Sequence, residues 1–306
     1  MYDAVHLLSH KCTLYKEHEL LGATFAPDDC GVMCVTSYPC NTVNAHDNAA
    51  FQAGTSKAAP QADAMLCDNE DATLLLVAGT EAENFLTNTC TNALPKVGAI
   101  APHVILSEDG TAVSCIFVAC FDDRPSSLTY CIIDTSPRST LTLSSVCARA
   151  TQKKPLTSKD LFDDLRIDGI GRDYIALSLF GTRAQELLSD YVKAPEKLPQ
   201  RPLTCEYVHL DERIQCFVLC LAPEYYLMIL SKDDVEVIWR SLLSFSFLMP
   251  CVSSDAFSFL VKEYPYLARF TSEDECFFTP EELTQYALVR SDHTFFGAEA
   301  LYRQKK

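Results

Sequence analysis

Residues 102–134 hold three apolar runs, 102–107, 113–121 and 128–134, parted by short turn stretches that include Glu108-Asp109-Gly110 and Asp122-Asp123-Arg124-Pro125-Ser126-Ser127. Turns this short join antiparallel strands, because a parallel pair needs a crossover of a dozen or more residues. Further strand-like runs lie at 204–221 and 225–230. The stretch 217–227 contains no glycine, and Phe217, Leu219 and Leu221 alternate with Val218 and Cys220. That alternation predicts a continuous strand or a tight hairpin. Helical patterning covers 10–22, 81–90, 158–165, 181–192, 232–243 and 280–289. Ser158 and Ser231 each precede an acidic first turn, as an N-cap should. Antiparallel runs with helices between them predict an α+β fold. Residues 41–64, rich in Ala, Asn, Gln and Thr, read as a loop, and 193–203, with Pro195, Pro199 and Pro202, as a linker. No internal repeat is evident.

A chain of 306 residues is long enough for two subdomains or one large compound domain. At 48% hydrophobic residues, a globular core is expected. No apolar run approaches the roughly 18–20 residues of a membrane span; the longest are 225–230 and 242–249. The N-terminus has no basic start followed by an apolar core, so no secretory signal is read and a cytoplasmic setting is expected. The net charge of −16 argues against nucleic acid, whose phosphates require clustered Lys and Arg. An acidic surface is most simply a solvated one; a basic partner or carrier protein is the alternative. Fifteen cysteines, an odd number at irregular spacing, point to reduced thiols. Most lie inside apolar runs and behave there as small hydrophobes. His6, His10 and Cys12 form a conceivable soft-metal group, but no fourth ligand has suitable spacing. Cys30, Cys34 and Cys40 make no C-x-x-C pair. No metal is expected.

Residues 79–118 resemble the glycine-cleavage T-protein (aminomethyltransferase) family. That family runs G-P-D-A-x-x-F-L-x-x-L-x-T-N-D-V, then L-x-N-E-x-G-G-x-x-D-D-L-x-V. Gly79, Ala82, Phe85, Leu86, Thr91, Asn92, Gly98, Glu108, Gly110 and Val118 keep the frame. Leu14-Tyr15, His18 and Leu21-Gly22-Ala23 are similar to its opening Y-x-x-H-x-x-L-G-A. Residues 175–184, ending Phe180-Gly181-Thr182-Arg183-Ala184, are similar to A-L-L-A-L-Q-G-P-x-A. Residues 230–234 with Trp239 follow V-P-x-E-D-A-x-x-L-W, and Phe296-Gly297-Ala298-Glu299-Ala300-Leu301 follows F-I-G-x-E-A-L. The pieces occur in order across the chain.

The resemblance implies a folate-binding fold in two interleaved subdomains. Residues of about 60–150 form the inner one, and about 1–59 with 151–306 the outer. The family's C-terminal β-barrel is expected to be absent, so that a partner would complete the cavity wall. The implied activity moves an aminomethyl group from a lipoyl carrier, releases ammonia and passes methylene to tetrahydrofolate. Its catalytic Asp, however, falls on Ala93, and its Asp-Asp pair on Ser114-Cys115. The glycine-rich folate loop R-T-G-Y-T-G-E-D-G-F-E aligns with 217–227, where its pterin-binding Glu is Pro223. Ser254 and Ser258 replace the arginines that would hold a folate tail. The expectation is a catalytically degenerate member that binds a small molecule or a protein partner. A divergent tetrahydrofolate-dependent one-carbon transferase is one alternative, its carboxylate drawn from Asp68, Asp71 or Glu224. An accessory protein of iron–sulfur cluster assembly is the other, because Cys276 and Glu281 coincide with the K-G-C-Y-x-G-Q-E signature of that branch.

Six residues are candidates for ligand contact, each with a structural reading beside it. Asn92 keeps a family position, or caps a turn. Asp134, with Arg138, follows a strand and either touches a ligand or fixes the next turn. Glu224 and Tyr226 line a cavity, or are a loop carboxylate beside core aromatics. Asp255 orients a pocket, or caps a helix. Asp68 stands where the family's D-L-S-H-M-G stretch begins, but without its His and Gly.

Overall fold

The runs within 102–134 pair antiparallel, as their short turns predict. The computed structural model describes residues 10–27, 31–39, 63–124, 127–153, 160–272 and 274–303. Strands β6 (Ile100–Leu106), β7 (Ala112–Arg124) and β8 (Ser127–Asp134) continue into β5 (Thr73–Ala78) and β9 (Arg166–Gly169). This five-stranded sheet has the order β6-β7-β8-β5-β9 and is antiparallel throughout. A six-stranded sheet is built from β4 (Ala64–Asn69), β10 (Tyr174–Phe180), β11 (Thr204–Leu210), β12 (Ile214–Ala222), β13 (Tyr225–Ser231) and β14 (Leu248–Pro250). Its order is β11-β12-β13-β10-β4-β14, and only the β14–β4 pair is parallel. A small third sheet joins β1 (His10–Lys11), β3 (Val32–Ser37) and β2 (Thr24–Pro27) in the order β1-β3-β2.

The hydrophobic pattern explains how the two large sheets are covered. Alternate residues of a strand face opposite sides. On β12, Phe217, Leu219 and Leu221 enter one apolar cluster while Cys216, Val218 and Cys220 enter another. The first cluster also takes Val104, Phe117 and Phe121 from the five-stranded sheet, so it fills the space between the sheets. Phe121 and Phe217 meet there with ring centroids 5.0 Å apart. The outer face of the six-stranded sheet packs Leu187 and Leu188 of α4 (Ala184–Ser189) and Val235, Ile238, Trp239 and Leu242 of α5 (Lys232–Leu243). That last set lies at i, i+3, i+4 and i+7, one stripe of a helix. The outer face of the five-stranded sheet is covered by α2 (Ala82–Thr89) and α3 (Ser139–Ala150) through Phe85, Leu86 and Val146. A strand buried on both faces has no polar alternation, which is why 217–227 is apolar at nearly every position.

Several expectations hold. Residues 217–227 form a tight hairpin in which β12 and β13 are joined by Pro223 and Glu224 alone. Glu224 takes φ +59, the sign that the third position of a type II turn with Pro223 at the second position adopts. Ser231 caps α5, accepting from the Asp233 amide at 3.2 Å. The expected run 280–289 is helical only as α7 (Pro280–Gln285), and Thr279 and Glu282 close a reciprocal cap at its start.

Others are corrected. The helix expected over 10–22 is only α1 (Tyr15–Leu20), preceded by β1. The helix expected over 181–192 is only α4, six residues long. The run 204–221 is two strands, because Asp211 and Glu212 turn the chain with φ +51 and +60. The helix expected at 158–165 does not form over 160–165. There the Asp164 carboxylate accepts from the amide and hydroxyl of Thr80, at 3.0 and 2.9 Å, and its carbonyl accepts from Glu81. A short acidic side chain with such partners competes with helical bonding. Stretch 193–203 is irregular but anchored: Leu198 is buried, and the Leu203 amide donates to Cys220. The loop expected at 41–64 lies, up to residue 62, outside the described residues, as do His6, Cys30, Cys40 and Ser158. Among the described residues no helix is long and apolar enough to cross a membrane.

Candidate functional site

The segment after α2 carries Thr91, Asn92 and Ala93, and nearly every polar group in it serves the scaffold. Two arginines bind carbonyls at the end of the helix, where cations are favoured. Arg149 donates to Thr89 at 2.9 Å and also to Leu106. Arg290 donates to Thr87 and Cys90, both at 2.6 Å, and to Asn92 at 3.3 Å. Thr91 Oγ1 accepts from the Val104 amide at 3.0 Å. The Asn92 side chain donates to the carbonyls of Pro102 at 3.1 Å and Ala287 at 2.8 Å, and accepts from the Ala93 amide at 2.8 Å. Its own amide donates to His103 Nδ1 at 3.2 Å. His103 is fully buried, and desolvation with the nearby Arg290 charge holds it down to a pKa of about 3. Ala93 itself is exposed.

The remaining candidates occupy separate places. Asp134 is buried at the end of β8, accepting from the Ser136 amide at 2.8 Å and from the Thr142 hydroxyl. It fixes the turn into α3, and burial pushes its carboxyl above the usual range despite those donors. Arg138 is not its partner; the guanidinium donates to the carbonyls of Ser272 and Asp274 instead. Glu224 is exposed at the β12–β13 turn, where its carbonyl accepts from the Gly181 amide at 2.9 Å. Tyr226 is buried within the cluster shared with α4 and α5. Asp255 sits in the first turn of α6 (Ser253–Glu263), accepting from the Val252 amide at 3.4 Å, and burial raises its carboxyl. Ser258 bonds back to the Ser254 carbonyl at 2.7 Å on the same helix, and both are exposed. Among the described residues no hydrogen bond or ion pair joins any two of Asn92, Asp68, Asp134, Glu224, Tyr226 and Asp255. Cys276 is buried beside β7, its carbonyl accepting from Ala112 at 2.7 Å, and burial raises its thiol.

Asp68 has more chemistry around it. Its Oδ2 lies 3.0 Å from His18 Nε2, and His18 Nδ1 lies 2.7 Å from the Tyr38 hydroxyl. His18 is fully buried, and the edge of its ring packs against Trp239 with centroids 5.1 Å apart. Cys12 completes the group: its sulfur, the imidazole nitrogen and the carboxylate oxygen all lie within 4.8 Å of one another. Burial, reinforced by Asp68, Glu70 and Cys34, pushes the Cys12 thiol up to about 12. A pocket of about 40 Å³ opens here, lined by Cys12, Cys34, Asp68, Glu70 and Asp71 with the start of α6. Glu70 is already engaged by Lys232 at 2.8 Å and by the Thr13 hydroxyl at 2.9 Å. The sequence signalled Cys12 only alongside His6 and His10, and His18 only inside the opening motif. Nothing in the linear order announced that β4 would bring Asp68 to them, some fifty positions away.

The fold is that of the T-protein. The chain superposes on the crystal structure of the glycine cleavage system aminomethyltransferase T from Bartonella henselae with a TM-score of 0.68 and 17% identity, covering 97% of this chain and 75% of that one. A heterotetrameric sarcosine oxidase from Corynebacterium sp. U-96 is more distant, with a TM-score of 0.40 and 15% identity over 75% of this chain and 95% of that one. No family model matches the sequence, and no curated protein does.

Proposed function

We propose that this chain is a T-protein-like module that does not transfer aminomethyl groups and acts by holding a small ligand or a protein partner. The observation that carries the reading is the segment Thr91-Asn92-Ala93. Its Asn side chain is spent on backbone carbonyls, and an exposed methyl group stands at the position of the family's acid. Ala93 can neither carry charge nor move a proton, and such assistance typically contributes 10²- to 10⁴-fold to a rate.

The residues present do not fit tetrahydrofolate. The hairpin at Pro223-Glu224 stands where the family has a glycine loop, and Ser254 and Ser258 offer hydroxyls where a folate tail needs guanidinium forks. The pocket beside Asp68, at about 40 Å³, suits a water or an ion, whereas small-molecule sites begin near 300 Å³. The proposal includes a cytoplasmic, reducing setting in which thiols such as Cys90 and Cys131, both raised to about 12 by burial, serve as core. Calorimetric titration with tetrahydrofolate tests the reading. No heat above dilution is expected, and micromolar binding would restore the one-carbon transferase in its place.

A further inference from the structure

We propose that Cys12, His18 and Asp68 form a binding site for a zinc-class divalent cation, held by one thiolate, one imidazole and one carboxylate. The three donors come from three places in the fold: the segment between β1 and α1, the helix α1, and the strand β4. Bonds of about 2.0–2.3 Å to a tetrahedral ion set donor atoms roughly 3.3–3.8 Å apart. His18 Nε2 and Asp68 Oδ2 already stand at 3.0 Å, and the whole trio lies within 4.8 Å. Small rotations therefore suffice to converge on one ion.

The environment is that of a ligand set as well. A ligating histidine normally anchors its second nitrogen, which fixes the ring and its tautomer. His18 Nδ1 meets the buried Tyr38 hydroxyl at 2.7 Å, and Trp239 packs against the ring. With an ion on Nε2, Nδ1 carries the proton and donates it to the tyrosine oxygen. The charge balance points the same way. Lys232 neutralises Glu70, whereas among the described residues the ion-pair partner of Asp68 is the His18 imidazole. A divalent ion would answer the carboxylate and a thiolate together. The pocket of about 40 Å³ that adjoins Cys12 and Asp68 has room for a water as the remaining ligand, with Cys34 on the same wall. A sulfur, nitrogen and oxygen set excludes the hard ions magnesium and calcium and favours zinc. The inference is independent of whether the module binds folate.

The test uses the whole chain, stripped with chelator under reducing conditions and titrated with Co²⁺ as a spectroscopic probe. One equivalent should enter with tetrahedral visible bands and a thiolate-to-cobalt charge-transfer band, and Zn²⁺ should displace it. Cys12→Ser should remove the charge-transfer band. Asp68→Asn should weaken Zn²⁺ at least tenfold. Tyr38→Phe, which spares all three ligands, should weaken it about tenfold and leave the band in place. Zn²⁺ should raise the melting temperature of the parent chain and not that of Cys12→Ser, with circular dichroism of the metal-free proteins confirming that each variant folds. Failure of the parent chain to take up an equivalent, or a charge-transfer band unchanged in Cys12→Ser, would overturn the site.

Discussion

The backbone amide of Asn92 donates to Nδ1 of His103 across 3.2 Å. An accepting Nδ1 leaves the proton on Nε2, which is buried and has no partner among the described residues. The imidazole is thus held neutral in the core behind the candidate segment. Its pKa falls from 6.5 to about 3, first through desolvation and then through the nearby Arg290. A folded pKa below the unfolded one means that the neutral form favours folding. His103 therefore contributes stability that is complete above about pH 6.5 and is lost as pH falls toward 3. Urea denaturation at pH 7 and pH 4.5 should show a larger loss for the parent chain than for His103→Gln. In a proton NMR titration His103 should remain neutral at pH 5; a midpoint near 6.5 would refute its buried, neutral state.

Asn92 itself should behave as a strut. Its side chain makes three hydrogen bonds, two of them to carbonyls of Pro102 and Ala287, which tie β6 and the C-terminal segment to the loop after α2. Replacing it with alanine leaves those groups to find water. A loss of about 1–3 kcal/mol is expected, read as a lower urea midpoint with unchanged slope. A change under about 0.3 kcal/mol would mean that the residue is not structural and would reopen a ligand role.

Much of the fold was legible because its signals are local. Short polar turns announced β6, β7 and β8, and unbroken apolar alternation announced the β12–β13 hairpin. The failures lie where a side chain found a distant partner. Asp164 bonds Thr80 across 84 positions and unwinds an expected helix. The candidate site was less legible for the same reason. Asn92, Asp134 and Asp255 could be named as polar residues in plausible places, but only the fold shows that carbonyls, a hydroxyl and amides occupy them. The grouping of Cys12, His18 and Asp68 depends on β4 lying near α1, which no spacing rule encodes.

The glycines kept from the family motifs answer to backbone geometry. Gly181 ends β10 at φ +119, and a methyl group there would stand 2.6 Å from the Asp63 carbonyl oxygen and 2.9 Å from the Ala64 Cα. Gly79 is under the same constraint, facing the Asp164 carbonyl at φ +105. Either change to alanine combines backbone strain with overpacking against main chain that cannot step aside, on the order of 3 kcal/mol. Gly171 has open space around it, so Gly171→Ala is the matched control and should stay within about 0.5 kcal/mol. Equal melting temperatures for Gly181→Ala and Gly171→Ala would contradict the packing described.

Restoring the family's acid should not restore its reaction. In Ala93→Asp the carboxylate would enter an exposed position, beside an Asn92 whose amide already holds two carbonyls. No guanidinium is offered at Ser254 or Ser258, where the Ser258 hydroxyl donates to the Ser254 carbonyl along α6, and the turn at Pro223-Glu224 gives no glycine loop. On the proposed reading each of these positions would face a different part of a folate, so one carboxylate would not stand in for the others. Ammonia release from an aminomethyl-loaded lipoyl carrier, with tetrahydrofolate present, should therefore stay at background for the parent chain and for Ala93→Asp alike. A hundredfold gain in Ala93→Asp, the low end of what a positioned acid contributes, would show that a folate pocket survives and that only the acid was lost.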